Sequence, residues 1–302
     1  MDDTKKISKI AQQLLLAFRD NSFLDFKKEE KILNENLKTL AFEWDKSFGV
    51  FPERKMKNGS FLWKFEKAKR SKHLIKILKG VLNGHRDSTI VNPACYDGKR
   101  ARQIALNIPH SKVIACDIDP HWNKNQSIFR KLFFKKEPQN YSFIQDDVFN
   151  SQIQSNPEVT VFFGACGSVS DAIMDFAIKE KSTYLVCRIC CHENIGGNTV
   201  VRKRNSLLNF YFRFKNRSFQ KKKESKTGYY FSDTYSKSAY PRSNAIKQIS
   251  NSEEYEKIAQ NSIDSSLCAT LIDLDRCCYL IEKGYKVFYN DELFVAQKVT
   301  KS

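Results

Sequence analysis

The 302-residue sequence has few of the features that mark fibrous, disordered or membrane-spanning chains. It contains only 11 Gly and 7 Pro, too few for a fibrous or linker-like protein. No apolar run approaches the ~20 residues that a transmembrane helix needs, and the first residues lack the apolar segment of a secretory signal. With 41% hydrophobic residues, the composition predicts a globular protein of the cytoplasm, with no membrane association.

Nine cysteines without a secretory signal favour reduced thiols over a disulfide framework. Cys187, Cys190, Cys191 and His192 are residue types that bind zinc. However, Cys187 and Cys190 fall on or beside a predicted strand, where side chains alternate between faces, and no second CxxC pair follows. We predict structural thiols and no metal, and a nucleophilic cysteine beside His192 is a further possibility.

Acidic residues are too few to balance the basic ones, with 34 against 51 and a net charge of +17. Residues 1–86 hold 20 basic and 11 acidic side chains, and residues 201–226 hold 10 and 1. Residues 87–200 hold 12 of each. The excess positive charge therefore lies in two segments on either side of a neutral centre.

The second basic segment, from Arg202 to Lys226, interleaves Phe and Tyr with Arg and Lys. Cations attract phosphates, and aromatic faces stack on unpaired bases. Two interpretations remain open. Either this tract and the N-terminal helices bind RNA or another polyanion, or the tract is a solvated segment whose rings pack on the core.

The hydrophobic pattern changes near residue 87. Residues 1–86 have apolar spacing typical of helices, at 5–20, 28–44 and within 62–82. From Ser88, strands and helices alternate. The predicted strands are Thr89–Asn92, Lys112–Cys116, Tyr141–Ile144, Val159–Phe163, Thr183–Ile189, Tyr285–Tyr289 and Phe294–Val299.

These patterns predict a helical N-terminal basic region, residues 1–86, and a Rossmann-like α/β domain, residues 87–302. The domain would contain a seven-stranded, mostly parallel sheet closed by an antiparallel hairpin, with the turn of the hairpin at Asn290-Asp291. Residues 193–262 interrupt the alternation and are interpreted as a basic insertion. Whether residues 1–86 form a separate domain or wrap the central one stays open.

Polar residues follow the predicted strands where ligands bind in such sheets. A Gly98-containing loop leads from the first strand into a helix, Asp117 ends the second strand, and Asp147 follows the third. A carboxylate at the second position can accept from ribose hydroxyls, and one at the third can accept from an amino group. Helix capping is the alternative role for each Asp, but together they predict a nucleoside ligand. An NAD-dependent dehydrogenase, the competing enzyme class, has a G-x-G-x-x-G motif after its first strand, and here only Gly98 of such a motif is present.

The sequence here resembles the class I S-adenosylmethionine (SAM)-dependent methyltransferases. Val91–Gly98 lies where that superfamily has its glycine-rich loop, Val113–Pro120 where it has its acidic ribose-binding loop, and Ile144–Val148 where it has its adenine-side loop. The resemblance implies SAM as cofactor, with Asp117 on the ribose, Asp147 on the adenine amino group and the 93–98 backbone on the methionine part. The implied cofactor-binding residues are Asn92, Ala94, Cys95, Tyr96, Gly98, Asp117, Ile118, Asp146, Asp147, Val148, Gly164 and Ala165.

A narrower resemblance rests on Ala165–Asp171, Cys190–His192, Asp273–Arg276 and Gly284-Tyr285. These segments resemble a methyltransferase-like branch with ACG…(S/T)D and CC(Y/H) motifs, related to eukaryotic tRNA 2′-O-methyltransferases. The chain departs from the pattern at several positions. Ala94 and Tyr96 replace the usual glycines, Asn92 replaces the usual acid, and Gly164 stands where the branch often has His.

Methyl transfer from a sulfonium depends mainly on alignment, with a base or orienting group for a hydroxyl nucleophile. His192 titrates near neutrality at the end of a predicted central strand, and Asp171 and Arg188 are further catalytic candidates. Each also has a structural alternative, such as a helix start or a hydrogen-bonded core residue. We expect a SAM-dependent methyltransferase acting on RNA, such as tRNA or rRNA. The alternatives are a degenerate fold that only binds RNA and an enzyme with a protein or small-molecule substrate.

Overall fold

The computed structural model describes residues 3–47, 67–82, 87–96, 98–118, 137–166, 168–191, 241–262, 265–290 and 293–299. The helices are α1 (Asp3–Arg19), α2 (Phe26–Ser47), α3 (Lys67–Val81), α4 (Lys99–Asn107), α5 (Ser168–Lys179), α6 (Asn244–Lys247), α7 (Ser252–Asn261) and α8 (Ser266–Glu282). The strands are β1 (Thr89–Asn92), β2 (Lys112–Asp117), β3 (Tyr141–Gln145), β4 (Val159–Cys166), β5 (Tyr184–Cys191), β6 (Tyr285–Asn290) and β7 (Leu293–Lys298).

The seven strands form one sheet in the order β3-β2-β1-β4-β5-β7-β6. Strands β1 to β5 run parallel, and β7 pairs antiparallel with both β5 and β6. The predicted Rossmann-like sheet with a closing hairpin is confirmed. Residues 119–136, between β2 and β3, and the hairpin residue Asp291 lie outside the described residues.

Buried side chains on both faces of the sheet explain its central strands. Ile90 and Val113 belong to the large core, whereas Val91 and Ile114 belong to a smaller cluster with Phe176. Because strand side chains alternate between faces, these neighbours pack against opposite layers. The sheet is therefore covered on both sides, as a doubly wound fold requires.

The N-terminal helices pack on the same core as the sheet. Helix α1 is amphipathic, and its buried face, which includes Ile7 and Leu14, lies along α8. From α2, the buried carboxylate of Glu29 accepts hydrogen bonds from the Ser265 hydroxyl at 2.7 Å and from Leu267 N at 2.6 Å. Glu29 thus caps the first turn of α8, where orphan N–H groups favour an acceptor.

Part of the predicted insertion also contributes to the core. Ile246 on α6 and both Tyr255 and Ile258 on α7 are buried against α8. Their contribution was obscured by the polar composition of the segment. None of the described helices has the length and apolar character needed to cross a bilayer.

Candidate functional site

The carboxyl edge of the parallel strands gathers the polar residues singled out in the sequence. The chain runs outward from β1 to β3 and then returns to β4, so β1 and β4 are neighbours at the point where strand order reverses. In open α/β sheets, ligands bind in the crevice at such a switch point. Asn92 pairs with Ala115, and Asp117 pairs with Gln145, so the ends of β1, β2 and β3 lie side by side.

The loop that follows β1 is unusual in its backbone conformation. Ala94, Tyr96 and Gly98 have φ angles of 48°, 55° and 63°. This left-handed region suits glycine but strains residues that carry a Cβ. The substitutions that separate this chain from the resembled family therefore sit where the backbone still takes a glycine-like path.

Hydrogen bonds within the protein hold this loop. Cys95 N donates to Cys116 O at 2.9 Å, Tyr96 N to Asp117 Oδ2 at 2.8 Å, and Gly98 N to Cys95 O at 3.1 Å. These three N–H groups are thus engaged in this conformation. The implied contact between the loop backbone and a methionine moiety stays a prediction.

Three carboxylates, Asp117, Asp146 and Asp147, follow β2 and β3, and we name them the strand-end carboxylates. Asp117 is 7% exposed, and its carbonyl oxygen accepts from Asp146 N at 3.1 Å. The Gln145 amide donates to Ile118 O at 3.2 Å. These contacts tie the ends of β2 and β3 into one wall.

Asp146 and Asp147 differ in how their oxygens are used. Asp147 Oδ1 accepts from Phe149 N at 3.0 Å and caps the short 3₁₀ helix Val148–Asn150. Asp146 Oδ1 accepts from Gln152 N at 3.1 Å. Asp146 Oδ2 is buried and accepts no hydrogen bond from the part of the chain that the structure describes. A buried oxygen of this kind calls for a donor from beyond the described residues, such as a ligand or a water molecule.

The buried thiol of Cys116, on β2, lies beside the strand-end carboxylates. Burial raises the pKa of the Cys116 thiol well above its usual range, and the neighbouring Cys95, Asp146 and Asp117 raise it further. Such a thiol stays protonated at neutral pH and is a poor nucleophile. Cys116 therefore contributes packing to this edge.

Strands β4 and β5 reach the edge through a bulge. Phe163 pairs with Arg188 and Ala165 pairs with Ile189, which leaves Gly164, with φ 77°, as the extra residue. The fourth strand was predicted to end at Phe163, but the bulge carries β4 on to Cys166. Bulges of this kind re-aim backbone beside binding sites.

Asn92 and Arg100 brace β4 from two sides. The buried Asn92 amide donates to Val161 O at 2.7 Å and so links β1 to β4 across the switch point. The exposed Arg100 donates from Nη1 to Phe163 O at 2.9 Å. The Asn92 amide thus stabilises the pairing of β1 with β4, and its contact with a cofactor stays a prediction.

The predicted catalytic candidates are not gathered at one point. Arg188 lies half-buried on β5, opposite Leu293 of β7. His192 lies outside the described residues. Asp171 is 1% exposed and is bound by Arg276 Nε at 2.9 Å and Arg242 Nη1 at 3.2 Å. These contacts give Asp171 a structural role, and a catalytic one stays a prediction.

Asp171 belongs to a larger group beneath the end of β5, which we name the buried ion cluster. Its members are Asp171, Arg242, Asp273, Asp275 and Arg276. Arg276 is fully buried and also donates from Nη1 to Asp273 Oδ1 at 3.2 Å. Asp275 accepts from Arg242 N at 2.8 Å.

Further contacts tie the cluster to α7 and β6. Asp275 accepts from the Ser243 hydroxyl at 2.6 Å and from Tyr255 Oη at 3.0 Å. Tyr289 Oη donates to Asp273 Oδ2 at 3.0 Å. The sequence signal for the cluster is a set of three charged residues, Asp273, Asp275 and Arg276, within four positions of a largely apolar helix.

Cys187 and Cys190, the two cysteines of the CxxC pair, both lie on strand β5. Cys187 is fully buried, and this burial raises its thiol pKa well above the usual range. Within the described ranges, no group of three or more His, Cys, Asp and Glu side chains is placed to hold a metal ion.

Several solved structures with weak similarity to this chain are methyltransferases. Magnesium protoporphyrin IX methyltransferase from Synechocystis PCC 6803, with bound SAH (S-adenosylhomocysteine), aligns at 9% identity and TM-score 0.38, over 89% of this chain and 99% of that one. The antibiotic-resistance methyltransferase Kmr aligns at 13% identity and TM-score 0.38, over 74% and 93%. Precorrin-6y C5,15-methyltransferase from Geobacter metallireducens GS-15 aligns at 12% identity and TM-score 0.32, over 46% and 68%.

The TM-scores of these three alignments do not exceed 0.38 and the identities do not exceed 13%, so no property of these proteins is assigned to this chain. No protein-family model matches the chain, and no curated protein sequence matches it.

Proposed function

We propose that this chain is a SAM-dependent methyltransferase that acts on RNA. The observation that carries the proposal is the set of strand-end carboxylates beside the switch point. Asp117 is buried at the end of β2, and after β3 the buried Oδ2 of Asp146 accepts no hydrogen bond from the described residues. Because a buried acceptor without a donor costs free energy, a ligand rich in hydroxyl and amino donors fits this wall. A nucleoside is such a ligand.

The chain's own residues supply binding and alignment in this proposal. Asp117 would accept from ribose hydroxyls, and Asp146, with Asp147 beside it, would accept from the amino group of the adenine. SAM, when bound, supplies a methyl group that its sulfonium already activates. The protein then has to hold the nucleophile in line with that methyl and keep water out.

The charge distribution supports RNA as the substrate class. The basic tract Arg202–Lys226 lies in the sequence between β5 and α6. β5 ends at the carboxyl edge, and Arg242, just before α6, binds Asp171 in the first turn of α5, which also starts from that edge. The described residues that flank the tract in sequence, Cys191 and Arg242, thus lie toward this edge, and the ten cations of the tract suit phosphates.

A second candidate function has its own observation. The loop after β1 binds itself and Asp117 through three N–H groups, and it carries Tyr96 where the resembled family has glycine. Because the N–H groups of this loop are already bonded within the protein, the loop favours a protein that no longer binds the cofactor and that binds RNA without catalysing a reaction.

Calorimetric titration with SAM and SAH separates the two functions. The enzyme predicts saturable binding of both ligands, and it also predicts transfer of a labelled methyl group from SAM to an RNA pool. Absence of heat at ligand concentrations up to ~1 mM, where even a binding free energy of about −4 kcal/mol is detectable, would remove the enzyme and leave the RNA-binding fold.

Reversing the charge of Lys221, Lys222 and Lys223 to Glu tests the substrate class. RNA retention and methyl transfer to RNA should both fall steeply, because each lost phosphate contact weakens binding and its salt dependence. If both are unchanged, the basic tract is not a substrate surface. If SAM binds but the unaltered chain methylates no RNA, the substrate is a protein or small molecule.

A further inference from the structure

Tyr96 presents an exposed aromatic ring from a backbone that is held in place. The side chain is 57% exposed, although its φ of 55° lies where a Cβ is strained. Its N–H is bound by the buried Asp117 carboxylate at 2.8 Å, and the preceding residue, Cys95, is bound to Cys116 O. Strain of this kind persists only where surrounding contacts enforce it, and it concentrates at functional sites.

Two cations follow within four residues of this ring. Lys99 and Arg100 open α4, and both are exposed. The Arg100 guanidinium is fixed on the end of β4, through its hydrogen bond to Phe163 O and a position 5.4 Å above the Phe163 ring. The carboxylate in contact with Tyr96, that of Asp117, is 7% exposed and bonded inward to the loop. Among the described residues next to the ring in sequence, Lys99 and Arg100 are thus exposed and positive.

We propose that Tyr96, Lys99 and Arg100 form a contact surface for one unpaired nucleotide of the RNA, which we name the Tyr96 patch. The ring stacks on the base, and the two cations meet the adjoining phosphates. An exposed, rigid aromatic flanked by cations is the combination by which proteins bind single-stranded nucleic acid. The proposal rests on RNA as the substrate class proposed above, and it assigns the base-contacting side chain within that site.

The location of the patch agrees with this role. Tyr96 stands between the ends of β1 and β2, beside the strand-end carboxylates. A base stacked there would lie at the mouth of the proposed cofactor site. An extruded nucleotide is the form in which enzymes reach a group that pairing and stacking would otherwise bury.

Binding of a short fluorescein-labelled oligo(A) RNA to the full chain, followed by anisotropy, tests the patch. Tyr96→Asn removes the ring while keeping a residue that tolerates left-handed backbone, and it should weaken binding about tenfold. Tyr96→Phe keeps the ring and should bind within about twofold of wild type. Lys99→Ala should weaken binding a few-fold and lower its salt slope by about one.

Matched controls lie elsewhere on the same chain. Phe26, at the start of α2, is also largely exposed, and Lys112 is exposed at the amino end of β2, on the opposite edge of the sheet. Phe26→Leu and Lys112→Ala should leave oligo(A) affinity unchanged. Oligo(U) with one 2-aminopurine, whose uracil neighbours stack weakly on it, should lose fluorescence on binding wild type and Tyr96→Phe, because stacking on the ring quenches this base, and should keep it on binding Tyr96→Asn.

The outcomes separate this inference from the proposed function. If wild type binds oligo(A) and Tyr96→Asn binds equally well, the patch is wrong and RNA binding stands. If wild type binds neither oligo(A) nor a tRNA pool, the RNA substrate itself fails, and the patch fails with it. If Tyr96→Asn lowers SAH affinity tenfold but leaves RNA affinity unchanged, the ring contacts cofactor and the proposal is overturned.

Discussion

The buried ion cluster and the strand-end carboxylates both lie close to the sheet, but they differ in burial and in hydrogen-bond partners. The buried ion cluster pairs its carboxylates with Arg242, Arg276 and hydroxyl donors, and it excludes water almost completely. The strand-end carboxylates sit beside a strained loop, and in the described structure their contacts to protein come from backbone N–H donors. Two of them are half-buried, and one oxygen of Asp146 has no protein donor in the described ranges.

The difference indicates which group serves stability and which serves a ligand. A buried charge is tolerated only when it is paired and hydrogen-bonded, so a satisfied cluster belongs to the frame. Acceptors left partly unused at a sheet edge leave room for donors from a ligand. Each prediction below changes one side of this comparison.

Arg276→Met carries the largest expected effect. It removes the fully buried cation that binds both Asp171 and Asp273 and leaves their charges without this partner. Breaking a buried pair in this way costs about 3–5 kcal/mol of unfolding free energy, which urea denaturation followed by circular dichroism measures.

Lys257→Met is the matched control. Lys257 pairs with Glu253 on the exposed face of α7 at 3.0 Å. Pairs of this type contribute about 0.5 kcal/mol or less. A loss below 1 kcal/mol for Arg276→Met would show that the buried ion cluster does not hold the frame, and the comparison would fail on that side.

Asp117→Asn should act on affinity more than on stability. Asparagine can still accept the Tyr96 N–H, but it lacks the charge that strengthens bonds from ribose hydroxyls. Hydrogen bonds to charged groups are worth about 1.5–3 kcal/mol, so SAH affinity should fall ~10–100-fold by calorimetry. The unfolding free energy should change by about 1 kcal/mol or less. Unchanged SAH binding would mean that the pocket lies elsewhere.

The sequence was sufficient for the order of the strands, because apolar period and turn residues act locally, but it missed α6 and α7 within the polar segment 193–262. It also brought Asp117, Asp146 and Asp147 to one edge, since parallel strands end together. The extents of β4 and β5 were underestimated, because Gly164 reads locally as a turn and only pairing with a neighbouring strand reveals a bulge.

The buried ion cluster could not be predicted for a different reason. Asp171 meets Arg242 and Arg276 across 71 and 105 residues of sequence. Such pairings depend on how helices pack over the sheet, which local patterns do not encode. From the sequence alone, Asp171 was therefore a catalytic candidate with a helix start as its structural alternative.

Gly98→Ala tests the crowding of the loop at the carboxyl edge. A Cβ there would lie 2.7 Å from both Arg102 Nη1 and Tyr141 Oη, on backbone with φ 63°. Strain and displacement together should cost about 2 kcal/mol. Gly284→Ala is the control, because Gly284 has φ 85° with no atom within 4 Å of its added Cβ, and it should cost about 1 kcal/mol from strain alone. Equal losses by thermal melting would mean that Arg102 moves aside freely.

Ala94→Gly should change the unfolding free energy least, and it tests most directly the backbone strain at the strand ends. Left-handed backbone costs an alanine about 1–2 kcal/mol, and glycine removes this cost but loses about 0.5–1 kcal/mol to entropy. We expect a net gain of about 0.5 kcal/mol in unfolding free energy, read from urea denaturation. A loss would mean that the methyl's packing outweighs the strain. A gain accompanied by weaker SAH binding would show that the strained loop is kept for its shape, because relaxing it frees the backbone that positions Tyr96 and Asp117.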